Sequence, residues 1–307
     1  MIYLPDMITR HTIYGIPWID LVNPTTEEIH TIIDEFSIDE TCAVELVKPS
    51  LLTKVERFDR HLFFVLHFPD HPAKKTGSVI EIDFVVHHDF IITTRYTDID
   101  NFLVFEKKHT ATNRSISGID MHGGIIFGLM ITDLYNGLFK ELNFIKSDIT
   151  ELENKIFTNT QSDISFELMT IHRKLLDCKS ALRLHSDILH SFEHESLSLF
   201  SVTYGVIIRD IMNIYYRMTS MLESNKEIVY ELRETYDAFL TNQTNRTMRT
   251  LTLMSFITFP LSLIALILFD PASPHIFHGR YGFWIIVGIL GIILVIMLLY
   301  FKKKKWM

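Results

Sequence analysis

Residues 251–269 read LTLMSFITFPLSLIALILF, and residues 281–301 read YGFWIIVGILGIILVIMLLYF. Neither stretch contains Asp, Glu, Lys, Arg or His. At about 1.5 Å per residue, helices of this length reach roughly 28–32 Å, the thickness of a bilayer's hydrocarbon core. Buried core helices are the bland alternative. Two adjacent runs without a charge point instead to a transmembrane helical hairpin. The connector 270–280 (DPASPHIFHGR) holds two prolines, a glycine and most of the polar groups, so it is the loop between the spans. Its single Arg280 contrasts with Lys302, Lys303, Lys304 and Lys305 after the second span and with Arg246 and Arg249 before the first. The excess of positive charge places both ends of the hairpin in the cytoplasm and the loop outside. Pro260 falls inside the first span and removes one backbone hydrogen bond there, either as a plain kink or as a feature that shapes a pore.

The chain has 307 residues, a formal charge of −8 and two cysteines, Cys42 and Cys178, far apart in sequence. Such cysteine usage gives no disulfide framework and fits a reducing compartment. The N-terminus (MIYLPDMITRHTIYG) lacks a charged segment followed by an apolar core, so no cleavable signal is expected. The acidic balance, with no basic stripe interleaved with aromatics, disfavours a nucleic-acid partner.

Before the spans, Trp18 to Leu21 read as the end of a strand. Asn23-Pro24-Thr25-Thr26-Glu27-Glu28 then read as a helix start, with Thr25 and Glu28 at capping-box spacing. Ile29, Ile32, Ile33 and Phe36 supply that helix's apolar face. Strand-like runs follow at 55–58, 61–68 (HLFFVLHF), 79–86 (VIEIDFVV) and 90–94 (FIITT), the last two joined by a turn at His87-His88-Asp89. Strands flanked by helices predict a mixed sheet covered by helices. From about Ile125 the period becomes helical. Leu142, Ile145, Ile149, Leu152 and Ile156, then Leu168, Ile171, Leu175, Cys178 and Leu182, predict two long antiparallel helices broken near 158–163. From about Ser201 to Phe269 the chain has no proline before Pro260 and one glycine, Gly205, which permits a single helix running into the membrane. A helix of that length needs neighbours along it, as in a bundle or an oligomer.

Three polar features stand out. His190 and His194 have the i, i+4 spacing of a transition-metal pair, but no third ligand is evident and Glu193 and Glu195 lie beside them, so a solvated helix end is expected. The segment 241–250 (TNQTNRTMRT) is either a solvated interfacial helix or a hydrated pore mouth. The terminal lysines with Trp306 are at minimum an interfacial anchor.

In their order and spacing, several segments resemble the CorA magnesium transporters and their ZntB relatives. They are IDLVNPTTEE, VERFDRHLFFVLHF, DFIITT, IIRD, TNRTMRTLT, FPLSLIA, and YGFWIIV through YFKKKKWM. The resemblance covers nearly the whole chain. It implies a funnel-shaped homopentamer built from an α+β cytoplasmic domain, a very long stalk helix and the two-helix hairpin, with the first span lining the pore. The segments are then a cytoplasmic α/β domain (1–124), a long-helix region and stalk (125–250), the first span (251–269), an external loop (270–280), the second span (281–301) and a basic cytoplasmic tail (302–307). By match of position the pore-lining stripe is Asn245, Met248, Leu251, Ser255, Phe259 and Ser262, although steps of three and four are also what heptad packing around an axis gives. The resemblance further implies that cytoplasmic divalent ions hold the channel closed. Asp210 matches the acid on the long helix, and Asp98 or Asp100 its partner on the sheet domain, with a charged residue on a solvated face as the plain alternative for Asp210. Lys302 to Lys305 correspond to a basic ring.

One departure is large. The family's Gly-Met-Asn at the outer end of the first span is replaced by Phe269-Asp270-Pro271, and neither Gly-Met-Asn nor Gly-Val-Asn occurs in the loop. The loop carries His275, His278 and Arg280 instead of the usual acids, so Mg²⁺ selectivity does not carry over. Two functions follow. One is a divalent-cation channel for Mg²⁺, or for Co²⁺, Ni²⁺ or Zn²⁺, in which five Asp270 carboxylates ring the mouth and the histidines add softer ligands. The other is a non-conducting membrane protein that serves as a divalent sensor or partner platform, its mouth plugged by Phe269 and Pro271. No P-loop, G-x-S-x-G or metal-catalytic cluster points to an enzyme, and no organic cofactor is expected.

Overall fold

Six strands form one sheet in the first of the chain's two units, Met1–Glu231. The strands are β1 (Ile8–Ile13), β2 (Ile16–Val22), β3 (Lys54–Arg57), β4 (His61–Pro69), β5 (Val79–His87) and β6 (Ile91–Arg95), in the spatial order β1-β2-β6-β5-β4-β3. β2 and β6 pair in parallel and every other neighbouring pair is antiparallel, so the sheet is mixed as expected. The structure, a computed structural model, describes residues 8–50, 52–69, 79–97, 100–110, 121–158, 163–200, 204–269 and 281–304.

Alternation along the strands sorts side chains onto two faces. Ile19, Leu21, Phe63, Val65, Val85 and Ile92 face α1 (Thr26–Phe36) and α2 (Glu40–Leu46), packing with Ile29, Ile32, Ile33, Cys42 and Leu46. On the other face Phe64 and Phe84 meet Phe127 of α4 (Gly123–Thr158) and Phe192 of α6 (His185–Leu199), with ring centroids 4.6–5.1 Å apart. The capping box is present: the Thr25 amide donates to Glu28 Oε2 (2.7 Å) and the Glu28 amide donates to Thr25 Oγ1 (3.3 Å). The His87-His88-Asp89 turn joins β5 to β6.

Three elements escaped the sequence reading. β1 is an edge strand with only Ile13 fully buried, α2 has seven residues, and α3 (Asp100–Thr110) has a weak apolar face. Each is too short or too lightly buried for periodicity to mark it.

The long α-helices behave as their spacing requires. Leu142, Ile145, Ile149, Leu152 and Ile156 of α4, and Leu168, Ile171, Leu175, Cys178 and Leu182 of α5 (Ile164–Leu182), are all buried. Between the two helices, Asp163 caps α5 by accepting from the Phe166 amide. The start of α7 (Tyr204–Phe269) packs on the same layer. Tyr204 Oη donates to Gly124 O, Tyr215 Oη to Leu182 O (3.1 Å) and Asn225 Nδ2 to Leu142 O (3.0 Å). Burial pushes both free thiols, Cys42 and Cys178, up to about 12, so each is an inert core group.

Among the buried charges, the Arg95 guanidinium donates to Asp20 Oδ2 from Nη2 (2.9 Å) and Nε (3.1 Å). Thr93 Oγ1 donates to Asp20 Oδ1, and Trp18 Nε1 donates to Thr93 Oγ1. The chain of bonds clamps β2 to β6 at their parallel junction.

The second unit, Leu232–Met307, holds the rest of α7 and α8 (Gly282–Lys303). α7 continues unbroken through Pro260. Both helices are long and apolar enough to cross a membrane, and only 6% and 11% of their most apolar windows are buried in protein. Such exposure is the reverse of what a soluble core helix shows.

At the start of α4, the Gly123 amide donates to His88 O (2.8 Å). A Cβ there would lie 2.2 Å from His87 O and 2.4 Å from Phe90 O, both backbone atoms of the β5–β6 hairpin. Gly123→Ala should therefore destabilise the first unit by about 1–3 kcal/mol, the usual cost of overpacking. A lowered thermal midpoint checks this, and an unchanged midpoint would mean that the hairpin yields freely.

Candidate ion pathway

Residues 241–250 are exposed throughout and helical throughout. No apolar face holds them, so they are helical because α7 is already propagating on both sides. Three of their four threonine hydroxyls turn inward to the helix's own backbone. Thr241, Thr247 and Thr250 donate to the carbonyls of Asp237, Gln243 and Arg246, at 2.9–3.1 Å. Ser255 and Ser262, further along, donate to Leu251 O (3.0 Å) and Thr258 O (2.8 Å). A hydroxyl that spends its proton on the i−4 carbonyl keeps its oxygen lone pairs as acceptors. Each of these side chains therefore offers oxygen, not hydrogen, to whatever approaches the helix.

The six stripe residues, Asn245, Met248, Leu251, Ser255, Phe259 and Ser262, are all exposed in the single chain. At about 100° per residue they fall within one arc of roughly 120°, and at 1.5 Å per residue they extend over about 25 Å. Pro260 has no N–H to give Phe256 O, which frees one carbonyl beside Phe259. α8 ends in Lys302 and Lys303 with Lys304 at its cap, all exposed, and the Lys304 ammonium lies 5.8 Å from the Tyr300 ring centroid. Lys305, Phe269's side chain, Asp270, Pro271, His275, His278 and Arg280 lie outside what is described.

In the first unit Asp210 is exposed on α7 and makes no ion pair with a described residue. Its neighbour Arg209 lies 3.5 Å from Glu193. Asp98 lies outside the described residues, and of Asp100 only its place at the start of α3 is described. Among the described residues, no three His, Cys, Asp or Glu of one chain form a group that could hold a metal ion. A divalent site that uses Asp210 must therefore draw its other ligands from water, another chain or residues outside that set. His190 bonds Tyr216 Oη (3.0 Å) and His194 bonds Glu195 (3.3 Å), so the two have separate partners, as a solvated helix end implies.

The family profile described as CorA-like Mg²⁺ transporter protein matches residues 14–303. The chain belongs to that family. Among curated relatives, YfjQ of Bacillus subtilis (strain 168), a protein named for metal ion transport, is 24% identical over 300 residues, covering 94% of this chain and 89% of its own length. Among solved structures, the CorA magnesium transporter of Methanocaldococcus jannaschii superposes with a TM-score of 0.81 at 14% identity, covering 95% of this chain and 92% of that one. The full-length CmaX protein matches with a TM-score of 0.75 at 16% identity, covering 100% and 92%. The architecture of this CorA-family chain is thus the one its sequence resembles: a mixed sheet with helices, then a long helix and two apolar helices.

Sequence reasoning passed over one polar group. Glu81 and Asp83 are buried on one face of β5, beside His67 and Tyr96. The signal was present in VIEIDFVV, where two acids alternate with apolar residues in a strand that otherwise reads as interior.

Because Asp210 is exposed and unpaired among the described residues, its removal should be nearly silent without metal. Asp210→Ala in chelator-treated protein should shift stability by no more than about 0.5 kcal/mol. A larger drop in thermal midpoint would assign Asp210 a structural partner.

Proposed function

We propose that this CorA-family chain conducts divalent cations through a homopentameric pore lined by α7. The observation that carries the reading is the unbroken α7, which bears Asp210 in the first unit and the Asn245–Ser262 stripe in the second. Two spans enclose no pore alone, so the stripe needs copies of itself around an axis. Asn245, Ser255 and Ser262 then supply neutral oxygens at intervals. Neutral oxygens suit a cation that keeps part of its water shell, because they accept from the bound waters without holding the ion too tightly to leave. Met248, Leu251 and Phe259 narrow the path between them. Both termini lie in the cytoplasm, and the lysines after α8 form a ring at that surface.

Gating uses the same helix. A divalent ion held between Asp210 of one subunit and Asp98 or Asp100 of another binds only the closed assembly, and it stabilises that state by differential affinity alone. At the outer end Asp270 replaces the amide of Gly-Met-Asn with a carboxylate, and His275 and His278 add nitrogen ligands. That donor set favours Co²⁺, Ni²⁺ or Zn²⁺ over a strict preference for Mg²⁺.

Flux of Mg²⁺, Co²⁺, Ni²⁺ and Zn²⁺ into liposomes holding the full chain tests the reading. Conduction should be present, and Ser262→Leu or Asp270→Asn should lower it by roughly tenfold or more without changing the oligomer. An intact pentamer that passes none of the four ions would leave a non-conducting sensor.

Mg²⁺ in hundredfold excess over its Kd should raise the stability of the assembly by about 2.7 kcal/mol. Asp210→Ala should lose most of that gain. An equal Mg²⁺ response in the variant, read by thermal midpoint or protease protection, would remove Asp210 from the gate.

A further inference from the structure

Asp83 is 1% exposed and Glu81 7% exposed, two residues apart on the same face of β5. Glu81 is fully engaged: Oε1 accepts from the Ser50 amide (2.6 Å) and Oε2 from His67 Nε2 (3.0 Å). His67 Nε2 also lies 3.0 Å from Ser50 O, a second acceptor, so that nitrogen carries a proton. Asp83 is short of donors. Its Oδ2 accepts from Tyr96 Oη (2.8 Å), while its Oδ1 is buried without a partner. Directly opposite in the ladder, Thr94 Oγ1 is equally buried and unpartnered.

The groups facing Asp83 are poor in positive charge. Glu81 comes from its own strand, His67 from β4, Tyr96 from the end of β6 and Glu45 from α2. Lys54 of β3 is already held by Glu45 and Glu56, and Arg95 by Asp20. Burial, with Glu81 beside it, raises the Asp83 carboxyl well above the usual carboxylate range. An ionised Asp83 would leave a charged oxygen, Oδ1, buried without a donor beside a second carboxylate, and a proton removes that cost.

We propose that Asp83 holds a proton at neutral pH, and that this proton latches the C-terminal end of α2 and the following residues onto the sheet. The geometry supplies the coupling. Protonated Asp83 donates to Tyr96 Oη, 2.8 Å away, and turns the phenol's own proton toward Leu46 O, 3.3 Å away at the end of α2. The Ser50 amide, bound to Glu81, ties down the next segment. On deprotonation Tyr96 is committed to Asp83, Leu46 O loses its donor, and two buried like charges face each other under α2. The latch stands independently of the transport reading.

The sign follows from a raised folded-state pKa. The stabilisation is complete below the ordinary carboxylate range and is lost as pH rises through the folded value. Hydrogen exchange on the full-length protein in detergent, corrected for intrinsic rates, tests it at the amides of residues 45–50. In wild type, protection there should fall about tenfold per pH unit across the neutral range, one proton per opening. Asp83→Asn, which mimics the protonated form, should flatten that fall at the Leu46 end of the segment and leave near Ser50 only the weaker dependence that His67, held above its ordinary value by Glu81, contributes. Glu81→Gln should move the end of the fall to lower pH. Infrared spectra of wild type at neutral pH should show a carboxylic-acid carbonyl band that Asp83→Asn removes. Matching pH profiles in wild type and Asp83→Asn would overturn the latch. So would the absence of that band, which stands as a test even if a variant fails to fold.

Discussion

One helix has to be stable in two solvents. From Tyr204 to Glu231, α7 buries Ile208, Ile211, Met218, Leu222 and Val229 against protein, and past Leu251 most of its apolar residues, Met254, Phe256, Phe259, Leu263, Leu266 and Ile267 among them, are exposed and suited to lipid. An α-helix meets both demands because its backbone hydrogen bonds are internal everywhere, so only the side chains change as the surroundings do. The exchange takes place over the polar decade 241–250, where no side chain needs burial. A strand or a loop there would leave backbone groups unpaired at the edge of a bilayer. The same economy explains Pro260: one lost bond within a helix this long is cheap compared with a break.

Much of this was legible from the residues. Long one-sided runs such as Leu142 to Ile156 fix their own periodicity, and Thr25 with Glu28 fixes a helix start from four residues alone. The two uncharged stretches could only be helices once they were read as spans. The elements that escaped are those whose burial is partial. In β1 (ITRHTI) only Ile13 lies fully inside, and α2 (ETCAVEL) makes fewer than two turns. For the candidate pathway, sequence could place Ser255 and Ser262 on one arc of a helix. Which arc faces an axis is a property of the assembled copies, and in one chain lipid-facing and axis-facing residues are equally bare.

The sheet interior is more polar than its strands suggest. Asp20 with Arg95 occupies one side of the β2–β6 junction, and Glu81 with Asp83 and His67 lies under α2. Buried ionic groups are weak contributors to net stability, yet removal of one partner is expensive because the other is left uncompensated. They therefore act on register. A slip of one residue in β6 would carry Arg95 away from Asp20 and turn Thr93 from Trp18, so the pairing is held chemically where apolar neighbours alone would tolerate a shift.

The strand order also sets a timetable. β2 is flanked by β1, its hairpin partner, and by β6, whose residues come more than seventy positions later: Trp18 waits for Ile91 and Asp20 for Thr93. During synthesis the first hairpin emerges early and cannot be docked until the ribosome has passed residue 95. Long-range parallel pairing of this kind is slow, because the intervening chain must be ordered before the contact repays it. The apolar segments emerge after the sheet. The sheet can therefore close while the spans are still unmade, and a defect that delays β6 would present an unpaired β2 edge to neighbouring nascent chains just as the membrane segments appear.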